Sequence, residues 1–443
     1  MASPLEDKVP TAAAGGLRTF SIVAIGQLIS LFGSSLTVFA VGIWVYQETN
    51  SVTLLSLVIL AGSLPGILVA PLAGMVVDRA DRRLVMLVSD TAAGLTTMVV
   101  AGLILTDHVR LGHIFVLAIV GSLANAFQEP AYMASIPLLV PKQHLGRAGG
   151  FVQFSQGLAR VLTPVLAGVM IVTVGIGIVL LTDVITFLVA VTALLLVRIP
   201  RPAAANDVAR GEKSLLRDAV AGWSYVRERT GLMALLLLFT FVNFLVAFVN
   251  VLYIPLVLSF ASPSVLGGTL TTGGVGMMIG SIAVMALGTP RRKVRGIMGL
   301  IFVGGIVIAL SGVYPSAILI AANGFVMMTV LPFLQATSQV LWQTKVAPVV
   351  QGRVFALRRM LQQASLPAAY LLAGPLADHV FEPLLVEGGA LSTSLGLWMG
   401  VGPGRGIGLL FVIMGIAGCL AATAGYLYPR IRNLETELPD MVH

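Results

Sequence analysis

Residues 198–231 read RIPRPAAANDVARGEKSLLRDAVAGWSYVRERTG, a polar segment with seven Lys or Arg set between two strongly apolar blocks. On either side the chain divides into runs of largely apolar residues. A helix rising 1.5 Å per residue needs roughly 20 such residues to cross the hydrocarbon of a bilayer. Six runs precede the polar segment, at about 19–46, 54–77, 84–105, 112–136, 148–172 and 175–197, and six follow it, at about 232–260, 265–287, 296–313, 316–342, 354–378 and 406–428. These runs are too long and continuous for barrel strands, so their backbone amides must be satisfied within helices. The pattern predicts an all-α membrane protein of twelve transmembrane helices in two pseudo-symmetric six-helix bundles, 19–197 and 232–428. Tails are expected at 1–18 and 429–443, with 198–231 as the linker.

Composition agrees with that reading. Across 443 residues, 57% are hydrophobic, only 10% are charged and the mean hydropathy is +0.97, values outside any soluble class. A net charge of +8 is of the sign that suits nucleic acid, but the basic residues are sorted by loop and do not form a binding face. With a cytoplasmic N-terminus, 24 of the 27 Lys and Arg fall on the inner side; Arg110 and Arg405 are assigned to outer loops and Arg160 to a span. That bias is the positive-inside rule and predicts cytoplasmic N- and C-termini in a bacterial inner membrane. Residues 1–17 are polar, with no apolar core before a cleavage site, so the first span is expected to do the targeting. One cysteine, Cys419, leaves no intramolecular disulfide or cysteine metal site. Within the linker, Leu215, Leu216, Ala219, Trp223 and Val226 recur at helical spacing, which predicts an amphipathic helix on the inner leaflet; a plain solvated linker is the alternative.

An internal repeat supports the division into halves. Gly146, Arg147, Gln156 and Leu166-Ala167-Gly168 recur at an offset of 206 as Gly352, Arg353, Gln362 and Leu372-Ala373-Gly374. Span 5 thus matches span 11, and spans n and n+6 cross in the same direction, as in transporters built from parallel repeats.

After span 2 comes Gly74-Met-Val-Val-Asp78-Arg79-Ala-Asp81-Arg82-Arg83. This stretch resembles the loop signature of the major facilitator superfamily, G-x-L-A-D-R-x-G-R-R/K, with Asp81 in place of the second glycine. That replacement is common in the drug-exporter branch related to macrolide efflux proteins and the enterobactin exporter. The resemblance implies the major facilitator fold and an inner latch of Gly74, Asp78, Arg79, Asp81, Arg82 and Arg83, with Asp90 nearby, in which Asp78 accepts from a neighbouring helix N-terminus and from arginines. The second-half counterpart, Gly288-Thr-Pro-Arg291-Arg292-Lys293-Val-Arg295, keeps the bases but lacks the acid. Further segments resemble the same branch, among them Phe127-Gln-Glu-Pro130-Ala131, Gln351-Gly352-Arg353-Val-Phe355 and Gly402-Pro-Gly-Arg405-Gly-Ile-Gly408. Pro164 and Gly168 are similar to the antiporter signature of span 5, with Thr163 where that signature has glycine.

Four ionisable residues fall well inside spans, about six or more residues from either end: Asp90, Glu129, Arg160 and Asp183. A charge at mid-bilayer costs roughly 2.5–3.5 kcal/mol on the most lenient scale, so such residues are functional candidates. Arg160 is expected within reach of Asp183 or Glu129, which leaves at least one carboxylate unpaired and suited to carrying a proton. Glu129 ranks first for that role and Asp183 second. Against these stand a static Asp183–Arg160 pair, a merely hydrated Glu129 at the inner mouth, and a structural Asp90.

Polar residues at helical spacing point to a wet cavity: Gln27, Ser30 and Ser34; Asn125 beside Glu129; Gln153 and Gln156; Asn243 and Asn250; Gln335, Gln339 and Trp342; and Gln362. With Phe244, Phe248 and Met277 they suit a mixed polar and apolar ligand. No nucleotide-binding loop and no hydrolase or zinc motif is present, which argues against a nucleotide-driven pump and against an intramembrane enzyme. The expected function is proton-coupled export of a small amphiphile (a drug, macrolide, peptide-type secondary metabolite or siderophore) by a monomer. No cofactor, metal, nucleotide or nucleic acid is expected, and membrane lipids are the surrounding partner. Movement of a lipid such as a lysophospholipid is the alternative, and uptake a third.

Overall fold

The computed structural model describes residues 16–141, 144–197, 199 and 223–441. The first half contains α1 (Gly16–Thr49), α2 (Val52–Ala61), α3 (Leu64–Arg79), α4 (Arg82–Leu105), α5 (Leu111–Leu139), α6 (Leu145–Thr173) and α7 (Gly175–Leu196). The second contains α8 (Thr230–Leu258), α9 (Pro263–Leu287), α10 (Lys293–Val313), α11 (Ala317–Lys345) and α12 (Pro348–Leu376), then a π-helical turn at Ala377–Phe381 and the short α13 (Glu382–Leu384) and α14 (Gly396–Met399). The chain closes with α15 (Arg405–Leu427), α16 (Pro429–Arg432) and α17 (Leu434–Glu437).

Among the described residues eleven helical segments, with α2 and α3 taken as one, meet the length and hydropathy of a membrane span. The twelfth expected span, α12, is 29 residues long, but Arg353, Arg358, Arg359, Gln362 and Gln363 make it too polar to qualify by hydropathy. Span 2 is a correction: the single helix expected over 54–77 is broken at Gly62–Ser63. Pro65 sits in the first turn of α3, where its missing N–H goes unneeded, and cannot continue the ladder from α2. Of the linker helix, residues 223–227 are helical; Leu215, Leu216 and Ala219 lie outside the described residues.

Packing resolves the chain into two compact units. One is drawn from the first half; the other takes the second half together with Ala40–Leu60 and Pro164–Thr173. In the first unit α4 packs on α5 and α7, and α3 on α5; in the second α10 packs on α11 and α15, and α9 on α11. Spans 3–4, 3–6 and 2–4 therefore pair in the same way as spans 9–10, 9–12 and 8–10, the packing counterpart of the sequence repeat. The first unit's core includes Phe20, Met86, Ile136 and Leu194; the second unit's includes Leu232, Leu235, Ile297, Leu341 and Trp342.

The segment expected as a C-terminal tail is packed through residue 441. Ile431 and Leu434 enter the second unit's core. The Glu435 carboxylate accepts from the Lys293 and Val294 amides at 3.0 and 3.1 Å, capping α10. Lys345, 4% exposed, donates to the carbonyls of Glu435 and Leu438 and pairs with the Asp440 carboxylate at 3.0 Å. The acid absent from the loop 288–295 is thus supplied from the chain's end. Arg405 is also corrected: expected in an outer loop, it opens α15 and is 4% exposed, because Glu382 accepts from the Gly404 and Ile407 amides and ties the 382–404 segment down at that helix end.

Candidate functional site

In the first unit α1 presents a polar ladder to its neighbours. At its lower rung Gln27 Nε2 donates to Asp90 Oδ2 of α4 at 3.1 Å, and Gln128 Nε2 of α5 donates to Gln27 Oε1. Two helical turns on, Ser34 Oγ donates to Asp183 Oδ1 of α7 at 3.2 Å, with the Thr37 and Thr97 hydroxyls alongside. The i, i+7 spacing of Gln27 and Ser34 brings both rungs to one face. Ser30, between them, is half-buried. Close approach of α1 to α7 needs Gly33: a Cβ there would lie 1.9 Å from Thr186 Oγ1 and 2.8 Å from Asp183 Oδ1.

Asp183 is 5% exposed and has no cationic partner among the described residues. Arg160, the base expected beside it, is exposed on α6 and pairs with neither Asp183 nor Glu129. Glu129 is itself exposed on α5. The structure therefore separates the two leading carboxylates: Asp183 is held inside the unit by hydroxyls, and Glu129 is exposed. Asp90, grouped with the latch on sequence, is bonded to Gln27 and belongs to the ladder instead.

Of the latch residues, Asp81, Arg82 and Arg83 act locally. Asp81 is the N-cap of α4, accepting from Arg83 N at 3.0 Å and Leu84 N at 3.4 Å, which explains an acid where the family pattern has glycine. Arg82 donates to Ala134 O at 2.6 Å, and Arg83 donates to Leu194 O and Leu195 O at 2.7 and 2.8 Å, so they bind a carbonyl in the last two turns of α5 and two at the C-terminal end of α7. The arginines thus staple helices within the first unit. Gly74 meets nothing where a Cβ would lie, and the side chains of Asp78 and Arg79 lie outside the described residues.

Of the residues expected to contact substrate, Asn125, Gln153, Asn250, Gln335 and Gln339 are exposed, and Gln156, Phe244, Met277 and Gln362 are half-buried. Asn243 is half-buried and donates to Phe239 O at 2.8 Å, one turn back. Two are corrected. Phe248 is 1% exposed and Trp342 fully buried: the large apolar rings rotate off the polar stripe into the second unit's packing. The cavity of about 420 Å³ lined by Phe260, Tyr314, Trp398 and Arg405 includes none of the expected contact residues.

Arg358 was missed, because ten residues into α12 it read as part of a basic inner loop. It donates to Ser338 Oγ at 2.9 Å, and its guanidinium lies 5.5 Å from the Trp342 ring and 5.6 Å from that of Phe239. A signal was present in the sequence: an arginine on the face that carries Gln362 one turn later. Among the described residues no group of three His, Cys, Asp or Glu side chains is placed to hold a metal.

Long apolar helices in repeated pairs, with a buried carboxylate in one unit, define a polytopic membrane protein. The model of the Major Facilitator Superfamily matches residues 23–370, and the chain belongs to that family. It is 27% identical over 377 residues to macrolide efflux protein A of Streptococcus pyogenes, covering 82% of this chain and 90% of that protein. It is 26% identical over 370 residues to the multidrug efflux pump Tap of Mycolicibacterium fortuitum, covering 81% and 88%. Among solved structures the nucleoside transporter NupG aligns with a TM-score of 0.69 at 13% identity, covering 93% of this chain and 99% of that one, which shows the shared fold.

Proposed function

We propose that this transporter exports a small amphiphilic compound in exchange for protons, by alternating access across a bacterial inner membrane, with both termini cytoplasmic and Asp183 carrying the proton. The observation that carries the reading is a carboxylate 5% exposed, bonded to Ser34 and lacking a cationic partner among the described residues. A buried carboxylate held by hydroxyls tolerates both protonation states, because a hydroxyl donates to the anion or accepts from the acid. Ser34 is exposed while Asp183 is not, so the hydroxyl supplies the polar step between them. The efflux relatives support export, and the inner-side excess of Lys and Arg supports the orientation. Exposed Gln153, Asn125, Gln335 and Gln339, with half-buried Phe244 and Met277, offer the mixed surface such a ligand needs. Arg160 lies one turn from Gln156 on α6, and Arg358 is already held by Ser338 and the Trp342 and Phe239 rings, so among the described residues few cations are free for an anion, which favours neutral, zwitterionic or cationic amphiphiles over polyanions.

The test uses everted vesicles loaded with a panel of macrolides and cationic dyes, with and without a pH gradient, for wild type, Asp183→Asn and Glu129→Gln. The expected result is gradient-driven transport by wild type and Glu129→Gln, and its loss in Asp183→Asn. Gradient-independent transport by all three defeats proton exchange, and loss in Glu129→Gln alone moves the proton to Glu129.

A further inference from the structure

Asp378, in the π-helical turn that follows α12, lies over the N-terminus of α2. Its carboxylate accepts from Ser51 Oγ at 2.8 Å, from Val52 N at 3.0 Å and from Thr53 N at 2.8 Å. Ser51 Oγ in turn accepts from Leu54 N at 3.2 Å. One turn earlier Gly374 brings the two helices together: a Cβ there would lie 2.4 Å from Thr53 Cα and 2.4 Å from Ser56 Oγ. These groups belong to one compact unit, although α2 comes from the first half of the sequence and α12 from the second. The break at Gly62–Ser63 falls where the chain passes from that unit into the other.

The repeat gives this contact a counterpart. Gly374 corresponds to Gly168, and Gly168 meets the start of α9, where a Cβ would lie 2.7 Å from Pro263 O. Spans 5 and 8 thus touch as spans 11 and 2 do. At the same offset Asp378 corresponds to Val172, so only the span 11–span 2 contact carries a carboxylate. By the order of the spans, Asp378 ends span 11 on the side away from the termini. A charged acceptor on two free helix amides and a hydroxyl is the strong form of hydrogen bond, and it favours the macrodipole at that end.

We infer that Asp378 is a positioning residue of the transport cycle: its carboxylate, seated by Gly374, clasps the N-terminus of α2 in this state and must release it for the far side to open. Packing alone would hold two helices in contact; the carboxylate makes the contact a two-state one, made or broken with three hydrogen bonds together. The break below α2 leaves the short helix able to part from α12 without carrying α3 along.

The test reads distance by spin labelling in nanodiscs, independently of substrate and protons. In a Cys419→Ser background, nitroxides at Asn50→Cys and Glu387→Cys, both exposed on the far side, report the separation of the α1–α2 turn from the segment after α12. Asp378→Asn is expected to raise the ratio of long to short distances at least tenfold, and Ser51→Ala to raise it by less. Gly374→Val, which wedges the helices apart while leaving the carboxylate, should also lengthen the distances. Asp378→Glu should return the ratio toward wild type, which a general loss of stability would not do. Unchanged distributions in Asp378→Asn and Gly374→Val, both monodisperse, overturn the inference. If Asp378→Asn does not fold, Ser51→Ala and Gly374→Val decide by the same readout. Either outcome leaves proton exchange at Asp183 to its own vesicle test.

Discussion

Removing residues 434–443 tests how the chain's end holds the second unit. The truncation takes away Leu434, 1% exposed, whose burial contributes about 1.5–3 kcal/mol. It also removes the Glu435 cap on α10, about 1 kcal/mol for a lost N-cap. The larger effect falls on Lys345, whose side chain is 5% exposed and whose carbonyl and carboxylate partners all belong to the deleted segment. Breaking a buried pair by removing one partner costs about 3–5 kcal/mol, because the remaining charge stays desolvated. The sum, about 5–9 kcal/mol, is comparable to the whole stability of many domains. Lys345→Met separates the contributions. In the full chain it exchanges satisfied bonds for apolar volume and should change the unfolding midpoint little; in the truncated chain it removes the stranded charge and should recover a large part of the loss. Thermal unfolding in detergent, followed by intrinsic fluorescence and by the monodisperse fraction, measures all four proteins. Equal effects of Lys345→Met in both backgrounds would refute the claim that the C-terminal segment neutralises that lysine.

Four further outcomes follow from single contacts. Trp342→Ala, deleting a fully buried indole, should cost about 3–5 kcal/mol and lower the folded yield, read by the same melts. Asp81→Ala removes the cap of α4 and should lower stability by about 1 kcal/mol, with Asp81→Asn retaining most of it. Gly33→Ala should depress transport at least tenfold in vesicles by driving α1 from α7 at Asp183, and Thr186→Ala in the same chain should relieve part of the block. Glu382, outside the spans, has its carboxyl pushed up by burial, against the lowering effect of the Ile407 and Gly404 amides and Arg405. A raised folded value means the folded form holds the proton more tightly, so stability falls as pH rises from about 4.3 through that raised value. Wild type should therefore lose midpoint relative to Glu382→Gln as pH increases across that window; a constant difference would contradict it.

Much of the architecture was legible because hydropathy acts locally: a run of apolar residues must become a helix in hydrocarbon whatever its neighbours do. The predicted span ends fall within about three residues of those of α1, α4 to α11 and α15, and within about six of those of α12, for that reason. Span 2 departs from this, since a proline near the middle of an apolar run reads either as a tolerated kink or as a break, and neighbouring helices decide which. The site was less legible. Gln27, Ser34 and Asp183 were recognised as polar residues in apolar helices, yet their grouping depends on how α1, α4, α5 and α7 turn against one another. The expected Arg160 partner failed for the same reason: adjacency of spans 5 and 6 in sequence does not orient two side chains toward each other.

What the sequence determined by itself was the number and order of the apolar helices on either side of residues 198–231 and the family motif at 74–83, all set by composition over short windows. What only the tertiary structure decided was which polar groups meet. Ser34 with Asp183, Asp378 with the start of α2, and Glu435 with the start of α10 join residues 149, 325 and 141 positions apart in the chain. No window of local sequence spans such distances, and a hydrogen bond, unlike hydrophobicity, exists only when both partners arrive at the same place in the right orientation.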